Sequence, residues 1–176
     1  MWSSGGWKNN AVKNGNETAS VNTAEKNPLL EKAVSLLNYR AHSRKELADK
    51  LKQKIGCGEA ELNNVLDRLE ELGFLNDRTY AAAAVRSCSR KGYGAQRARS
   101  ELSRRGIPKE LWEEAMAEMP ETDAALERLI RSKLRDPSDR DEVRKVTAAM
   151  VRRGFSWDEI RRALENVKCE MINDEC

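Results

Sequence analysis

The sequence predicts an all-α protein made of three tandem three-helix repeats that follow a disordered N-terminal tail. Its 176 residues are rich in Ala, Leu, Glu, Arg and Lys, and only 5% are aromatic, which is typical of helical proteins. Apolar residues recur three and four positions apart, as on the buried face of a helix. A helix-ending glycine follows a basic run at Gly56, Gly106 and Gly154, which are 50 and 48 residues apart.

The register that follows these glycines supports an internal repeat. Apolar residues stand 6, 10 and 13 positions after each glycine, namely Leu62, Leu66 and Leu69, then Trp112, Met116 and Met119, then Ile160, Leu164 and Val167. A unit of nearly 50 residues that recurs three times indicates a helical array. We expect neighbouring repeats to share a core and to form an elongated, curved body with a continuous face.

Residues 1–27 are rich in Asn, Ser and Gly and show no periodicity. Such a segment buries too little apolar surface to offset the entropy cost of ordering, so a disordered tail is expected. Trp2 and Trp7 leave a short docking motif as the alternative.

The first repeat, residues 28–73, contains three expected helices. Ser43 and Glu46 have the spacing of a capping box at the start of the second helix, and Gly73 ends the third. The inward positions are Leu30, Ala33, Val34, Leu37, Leu47, Leu51, Leu62, Val65, Leu66 and Leu69.

The second repeat, residues 74–120, begins with Asn76 or Asp77 as the cap of the fourth helix. Residues 92–94 interrupt the helical pattern before the fifth helix. Pro108 lies near the first position of the sixth helix, where proline is tolerated. The inward positions are Ala81, Ala84, Val85, Cys88, Ala98, Leu102, Leu111, Trp112, Ala115, Met116 and Met119.

The third repeat, residues 121–170, contains the seventh, eighth and ninth helices. The seventh is expected to end near residues 136–137, Ser138 to begin the eighth, and Ser156 with Glu159 to form a capping box for the ninth. The inward positions are Leu126, Leu129, Ile130, Val143, Val146, Met150, Ile160, Ala163, Leu164 and Val167.

Charge is segregated along the chain although its net value is only +3. Residues 86–106 hold seven basic residues and one acid, whereas residues 110–127 hold seven acids and no Lys or Arg. Such a distribution gives the molecule one positive and one negative region, and the resulting electrostatic field steers charged partners.

The candidate contact residues are Arg86, Arg90, Lys91, Tyr93, Arg97, Arg99, Arg104 and Arg105, with Arg144, Lys145, Arg152 and Arg153 in the third repeat. A solvated charged face is the alternative in the third repeat, and Tyr93 could either stack on a base or pack on its neighbours.

The sequence contains few of the residue groupings that a catalytic site would need. His42 is the only histidine, so no Ser-His-Asp or Cys-His grouping extends beyond it. The glycine-rich segment 91–94 lacks the P-loop pattern, the four scattered cysteines lack zinc-ligand spacing, and no apolar run is long enough to span a bilayer. These features predict a non-enzymatic protein of the reducing cytoplasm, with no metal and no cofactor.

Several segments, in their order and spacing, also carry a resemblance to a known family. They are residues 36–40 with Ser43, Glu46 and Leu47; residues 69–81; residues 91–94 with Leu102 and residues 105–107; and residues 153–155 with Ile160. Together they resemble the RecX family, regulatory proteins that modulate the RecA recombinase, over residues 29–168.

The resemblance implies an all-helical protein that binds in the groove of the RecA–DNA filament. It further implies restraint of filament growth and of the recombinase and coprotease activities, without enzymatic activity. The basic stretch would then face DNA phosphates, acidic RecA side chains, or both. A nucleic-acid-binding helical protein that acts without RecA is the first alternative, and an adaptor for another acidic protein is the second.

Overall fold

A computed structural model describes residues 27–173 of the protein, with side chains through Met171, and all regular secondary structure in that range is helical. The helices are α1 Pro28–Tyr39, α2 Arg44–Ile55, α3 Glu59–Glu71, α4 Asp77–Arg90, α5 Ala95–Arg104, α6 Trp112–Ala117, α7 Asp123–Arg131, α8 Arg140–Arg152 and α9 Trp157–Asn173, with a 3₁₀ turn Lys109–Leu111 before α6. The predicted fold class of three tandem three-helix repeats is confirmed. The predicted tail, apart from Asn27, lies outside the described residues.

Each repeat has its own hydrophobic cluster, which corrects the expected shared core. One cluster joins α1, α2 and α3 and includes Leu75. A second joins α4, α5 and α6 around Leu102, and a third joins α7, α8 and α9 around Met150 and Phe155. The repeats therefore meet through contacts of another kind.

Those contacts place the end of one helix against the start of a helix in the preceding repeat. The Gly94 N–H donates to the carbonyl of Arg153 at 2.9 Å, and the Gln96 N–H donates to the carbonyl of Gly154 at 3.0 Å. The end of α8 thus satisfies amide groups at the start of α5, which has no side-chain cap. The two helix dipoles meet with opposite ends together, which is favourable.

The contact between the first and second repeats involves equivalent helix ends, but a side-chain hydroxyl replaces the backbone amides as the donor. The Ser43 hydroxyl donates to the carbonyl of Arg105 at 2.5 Å, so the end of α5 meets the start of α2. A Cβ on Gly106 would lie 2.8 Å from Cβ of Lys45, whereas one on Gly56 would meet nothing within 4 Å. Gly106 and Gly154 are therefore needed for close approach between repeats as well as for the positive φ at which their helices end.

Several helix ends confirm the sequence expectations. Ser43 and Asn76 each accept a hydrogen bond from a first-turn amide of α2 and α4, respectively. Ser156 and Glu159 form a full capping box, with the Ser156 N–H donating to Glu159 Oε2 at 2.7 Å. Glu46 does not complete the box at α2, because its carboxylate accepts hydrogen bonds from Arg40 and Tyr80 instead.

Other expectations are wrong in detail. Asp139, not Ser138, caps α8, because the Ser138 hydroxyl donates to Asp136 at 2.6 Å. The α7 helix ends at Arg131, earlier than expected, and the chain then turns to bury Leu134. Pro108 precedes a 3₁₀ turn rather than the first turn of an α-helix.

The first helix also differs from its expectation. Pro28 is its first residue, and the buried positions are Leu29 and Ala33, with Leu30, Val34 and Leu37 only partly buried. The Asn27 side chain accepts from the amides of Leu29 and Leu30, which fixes where the helix begins.

Candidate partner-binding cleft between the second and third repeats

A cleft of about 730 Å³ opens where the second repeat meets the third. Its walls are the turn between α4 and α5, the segment before α7, one face of α7, and the end of α8. Its basic side chains are Arg90, Lys91, Arg128 and Arg153, and its one acid is Glu121. We call this site the Tyr93 cleft.

Local chain geometry fixes Tyr93 in the wall of the cleft. Gly92 has φ +69° and, with the Tyr93 amide, closes the end of α4 by hydrogen bonds to the carbonyls of Ser89 and Cys88. Arg153 Nη1 donates to the Gly92 carbonyl at 3.1 Å. The turn that carries Tyr93 is thereby tied to the third repeat.

Two guanidinium groups lie over the Tyr93 ring. Arg97 Cζ is 5.6 Å and Arg153 Cζ is 5.9 Å from the ring centroid, within the range of cation–π attraction. The ring is already engaged by its neighbours. This geometry favours packing over base stacking as the role of Tyr93.

The cations of the cleft differ from most arginines of the chain in their pairing. Within the described residues, none of Arg90, Lys91, Arg128 and Arg153 has a carboxylate oxygen within 4 Å. Arg128 and Arg153 use backbone carbonyls as acceptors instead. The site is therefore concave and net positive, with four cations against the one acid Glu121, which suits an anionic partner.

Glu101 neutralises part of the predicted basic stretch. It accepts hydrogen bonds from Arg104 at 2.6 Å and from Arg105 at 2.8 Å. These bonds, Arg104 first, hold the pKa of Glu101 at about 2, below its usual value. Arg105 is half-buried, and its side chain also contacts the Tyr80 hydroxyl of the same repeat. Its carbonyl accepts from Ser43 of the first repeat, so its role is largely structural.

Acids of residues 110–127 form ion pairs with other arginines of the second repeat. Glu118, just after α6, pairs with Arg86 on α4 at 3.0 Å, and Glu114 pairs with Arg78 at 3.2 Å. The predicted contact residue Arg86 is therefore half of an ion pair within the second repeat.

The remaining predicted residues lie elsewhere. Arg99 and Arg104 line a hollow beside Trp112, and Arg144 and Arg152 line another beside Trp157. Lys145 is exposed on α8. Of the predicted set, the Tyr93 cleft brings together Arg90, Lys91, Tyr93 and Arg153, with Arg97 adjacent.

Sequence reasoning missed Arg128 as a member of the cleft. It stands in the third repeat next to acidic Glu127 and far in sequence from residues 86–106. No local signal separates it from an ordinary solvated arginine. The only histidine, His42, is buried, with Nδ1 2.8 Å from the Arg40 carbonyl oxygen and Nε2 2.8 Å from Lys50 Nζ.

Comparisons with known proteins bear directly on this architecture. Three family models match in order: "RecX, first three-helix domain" at residues 30–69, "RecX, second three-helix domain" at 76–116 and "RecX, third three-helix domain" at 121–164. The chain belongs to the RecX family. The three matched segments follow the order of the three helical clusters.

Curated relatives carry the name "Regulatory protein RecX". The one from Chlorobaculum tepidum is 31% identical, covering 84% of this chain and 92% of that protein. The one from Vibrio parahaemolyticus is 34% identical, covering 76% and 88%. The crystal structure of RecX from Lactobacillus salivarius has the same fold, with a TM-score of 0.69 at 24% identity over 81% of this chain and 96% of that one.

Two further features bound the chemistry within residues 27–173. No group of three or more His, Cys, Asp and Glu side chains there could hold a metal ion. No helix in that range is long and apolar enough to cross a membrane.

Proposed function

We propose that this protein binds the RecA–DNA filament and restrains the recombinase, ATPase and coprotease activities of RecA. Membership of the RecX family, whose curated relatives are named regulatory proteins, supports a regulatory role directed at RecA. The observation that carries the proposal is the Tyr93 cleft, where four cations converge without a carboxylate partner among the described residues.

An unneutralised cluster of this kind is energetically costly in the free protein. Like charges held in a concave site repel one another, and the field there is strengthened by the low-dielectric walls. A partner that brings phosphate or carboxylate groups relieves that repulsion. The filament contains both, as DNA phosphates and acidic RecA side chains.

The contact between the second and third repeats, which forms the cleft, also suits an extended target. Arg153 from α8 reaches the Gly92 carbonyl of the second repeat, so one binding event contacts two repeats at once. Outside the cleft, α5 and α8 carry further exposed cations, namely Arg97, Arg99, Arg144, Lys145 and Arg152. A filament groove offers contacts over such a length, whereas a compact target does not.

A nucleic-acid-binding protein that acts without RecA remains the second candidate. The same four cations, with the hydroxyl of Ser89 in the cleft, would serve phosphate binding on bare DNA.

One comparison tests both candidates. Binding is measured to single-stranded DNA alone, to RecA alone and to the assembled filament, each at two salt concentrations. We expect the filament to bind about tenfold or more tightly than either component, and substoichiometric protein to lower the RecA ATPase rate. Comparable binding to bare DNA with a steep loss in salt would support the second candidate, and no effect at equimolar protein would overturn the first.

A further inference from the structure

The third repeat carries an exposed apolar groove that lies outside the Tyr93 cleft. Two hollows, of about 420 and 540 Å³, lie on the two sides of Trp157 and share Thr147. Ile160 and Leu164 line the first, and Ala148 and Val151 line the second. We call the pair the Trp157 groove. It runs between α8 and α9.

The groove exposes large apolar side chains to solvent. Trp157 is 68% exposed and Val151 is 36% exposed. These are two of the six large hydrophobic residues that are exposed in the described part of the chain, and they are neighbours at one site. Scattered exposed apolar residues need no explanation, but adjacent ones that frame hollows mark an interaction site.

The fold does not require apolar residues at these positions, as the other two repeats show. Trp157 lies three residues after Gly154, and the positions three after Gly56 and Gly106 are charged, Glu59 and Lys109. Each of the three begins the last helical segment of its repeat. Packing alone therefore accepts a charged side chain where the third repeat has tryptophan.

The same comparison holds across the groove. Val151 lies three residues before Gly154, where the second repeat has Ser103, and Ala148 corresponds to Ser100. The corresponding hollow of the second repeat is lined by Arg99, Ser100, Ser103 and Arg104 beside Trp112. The apolar character is thus a property of the third repeat and not of the repeat architecture.

Charge at the rim indicates the sign of the partner. The cations that line the two hollows are Arg144, Arg152, Arg161 and Lys168, and the acids are Asp158 and Glu165. Arg152 and Lys168 have no carboxylate within 4 Å among the described residues, whereas Arg144 pairs with Asp141 at 3.1 Å and Arg161 with Asp158 at 3.4 Å. The rim is net positive, and electrostatic complementarity therefore favours an acidic partner.

We propose that the Trp157 groove binds a short acidic helical segment of a partner protein, with one large apolar side chain of that segment in each hollow. Two hollows that share a wall match anchors one helical turn apart, which lie on the same face of a helix. A nucleic acid could stack on the exposed indole, but it would leave both apolar hollows unfilled. The peptide is therefore the occupant that uses the whole groove.

The test uses the full chain and a labelled synthetic helix of alanine and glutamate with two leucines four positions apart. Fluorescence anisotropy compares it with a version carrying lysine for glutamate, a version carrying serine for leucine, and a labelled oligothymidylate. We expect the acidic leucine peptide to bind about tenfold more tightly than each of the three comparators.

Variants locate the binding. Trp157→Lys introduces the residue that the second repeat has at this position and is expected to weaken peptide binding about tenfold. Val151→Ser makes the same test if Trp157→Lys does not fold. Lys109→Ala, at the matching position of the second repeat, and Arg90→Glu in the Tyr93 cleft are expected to leave peptide affinity unchanged.

Three results would overturn the inference. The acidic and lysine peptides could bind equally well, or oligothymidylate could bind more tightly than the acidic peptide and lose that binding in Trp157→Lys. The third is that the protein self-associates through Trp157 and does not bind the peptide. No RecA is present in any arm. A failure here therefore leaves the proposed regulation of RecA untouched, and a failure of that proposal leaves this one standing.

Discussion

The carbonyl oxygen of Gly154 accepts a hydrogen bond from the N–H of Gln96, 58 positions earlier in the chain, at 3.0 Å. This bond joins the end of α8 to the start of α5 and sets the third repeat against the second. It also positions Arg153, which reaches the Gly92 carbonyl and the Tyr93 ring. The geometry of the candidate cleft therefore depends on a glycine outside it.

Replacing Gly154 should destabilise the protein far more than replacing Gly56. Both have positive φ, which costs an alanine about 1–2 kcal/mol. A Cβ on Gly154 would also lie 2.6 Å from Cβ of Arg97, whereas one on Gly56 meets nothing within 4 Å. We expect Gly154→Ala to lose about 2 kcal/mol more than Gly56→Ala in urea unfolding. Equal losses would show that the joint is not close-packed.

The Tyr80 hydroxyl should contribute to the joint between the first two repeats. It donates to Glu46 Oε2 at 2.9 Å, contacts Arg105, and belongs to a side chain that is only 8% exposed. Tyr80→Phe removes these contacts and leaves a carboxylate with one fewer donor, so a loss of about 1–3 kcal/mol is expected in thermal or urea unfolding. Tyr39→Phe is the matched control, because Tyr39 is 89% exposed and its change should have no measurable effect.

The contribution of Glu101 should depend on pH in a defined window. Its folded pKa, about 2, lies below the ordinary value of 4.5, so its stabilising effect is complete above about pH 4.5 and is lost as the pH falls towards 2. Glu101→Gln should therefore cost about 2 kcal/mol at pH 7, and the difference from the wild type should shrink steadily below pH 4.5.

Urea unfolding at pH 7, 4.5 and 3 would measure this difference. Glu113→Gln provides the control, because Glu113 is exposed on α6 and has no ion pair within the described residues. A difference for Glu101→Gln that persists unchanged at pH 3 would contradict the assigned role of its two arginine partners.

Much of the fold could be predicted because the signals are local. The positions of Leu47, Leu102 and Met150 follow from helical periodicity, and the glycine stops follow from backbone geometry. Where several residues could cap a helix, as at residues 136–139, the residue that caps it depends on the other hydrogen bonds that these side chains form. There Asp136 takes the Ser138 hydroxyl, and Asp139 is left to cap α8.

The candidate site could be predicted only in part, because its character depends on pairing between distant positions. Arg86 and Arg90 are indistinguishable in sequence, yet the first pairs with Glu118, 32 positions away, and the second remains without a carboxylate among the described residues. Arg128 enters the cleft only because the third repeat docks beside α4. Such relations are set by the joints between repeats and not by local pattern.

Filament affinity of a cleft variant tests the central claim most directly. Arg90→Glu with Arg128→Glu reverses two cations of the Tyr93 cleft, and Lys54→Glu with Lys109→Glu makes the same charge change at exposed positions outside it. Affinity for the RecA–DNA filament is measured for both variants at equal salt, with circular dichroism to verify folding. The account predicts a loss of about tenfold or more for the cleft variant and little loss for the control. A folded cleft variant that binds the filament and lowers RecA ATPase as well as the wild type would contradict it.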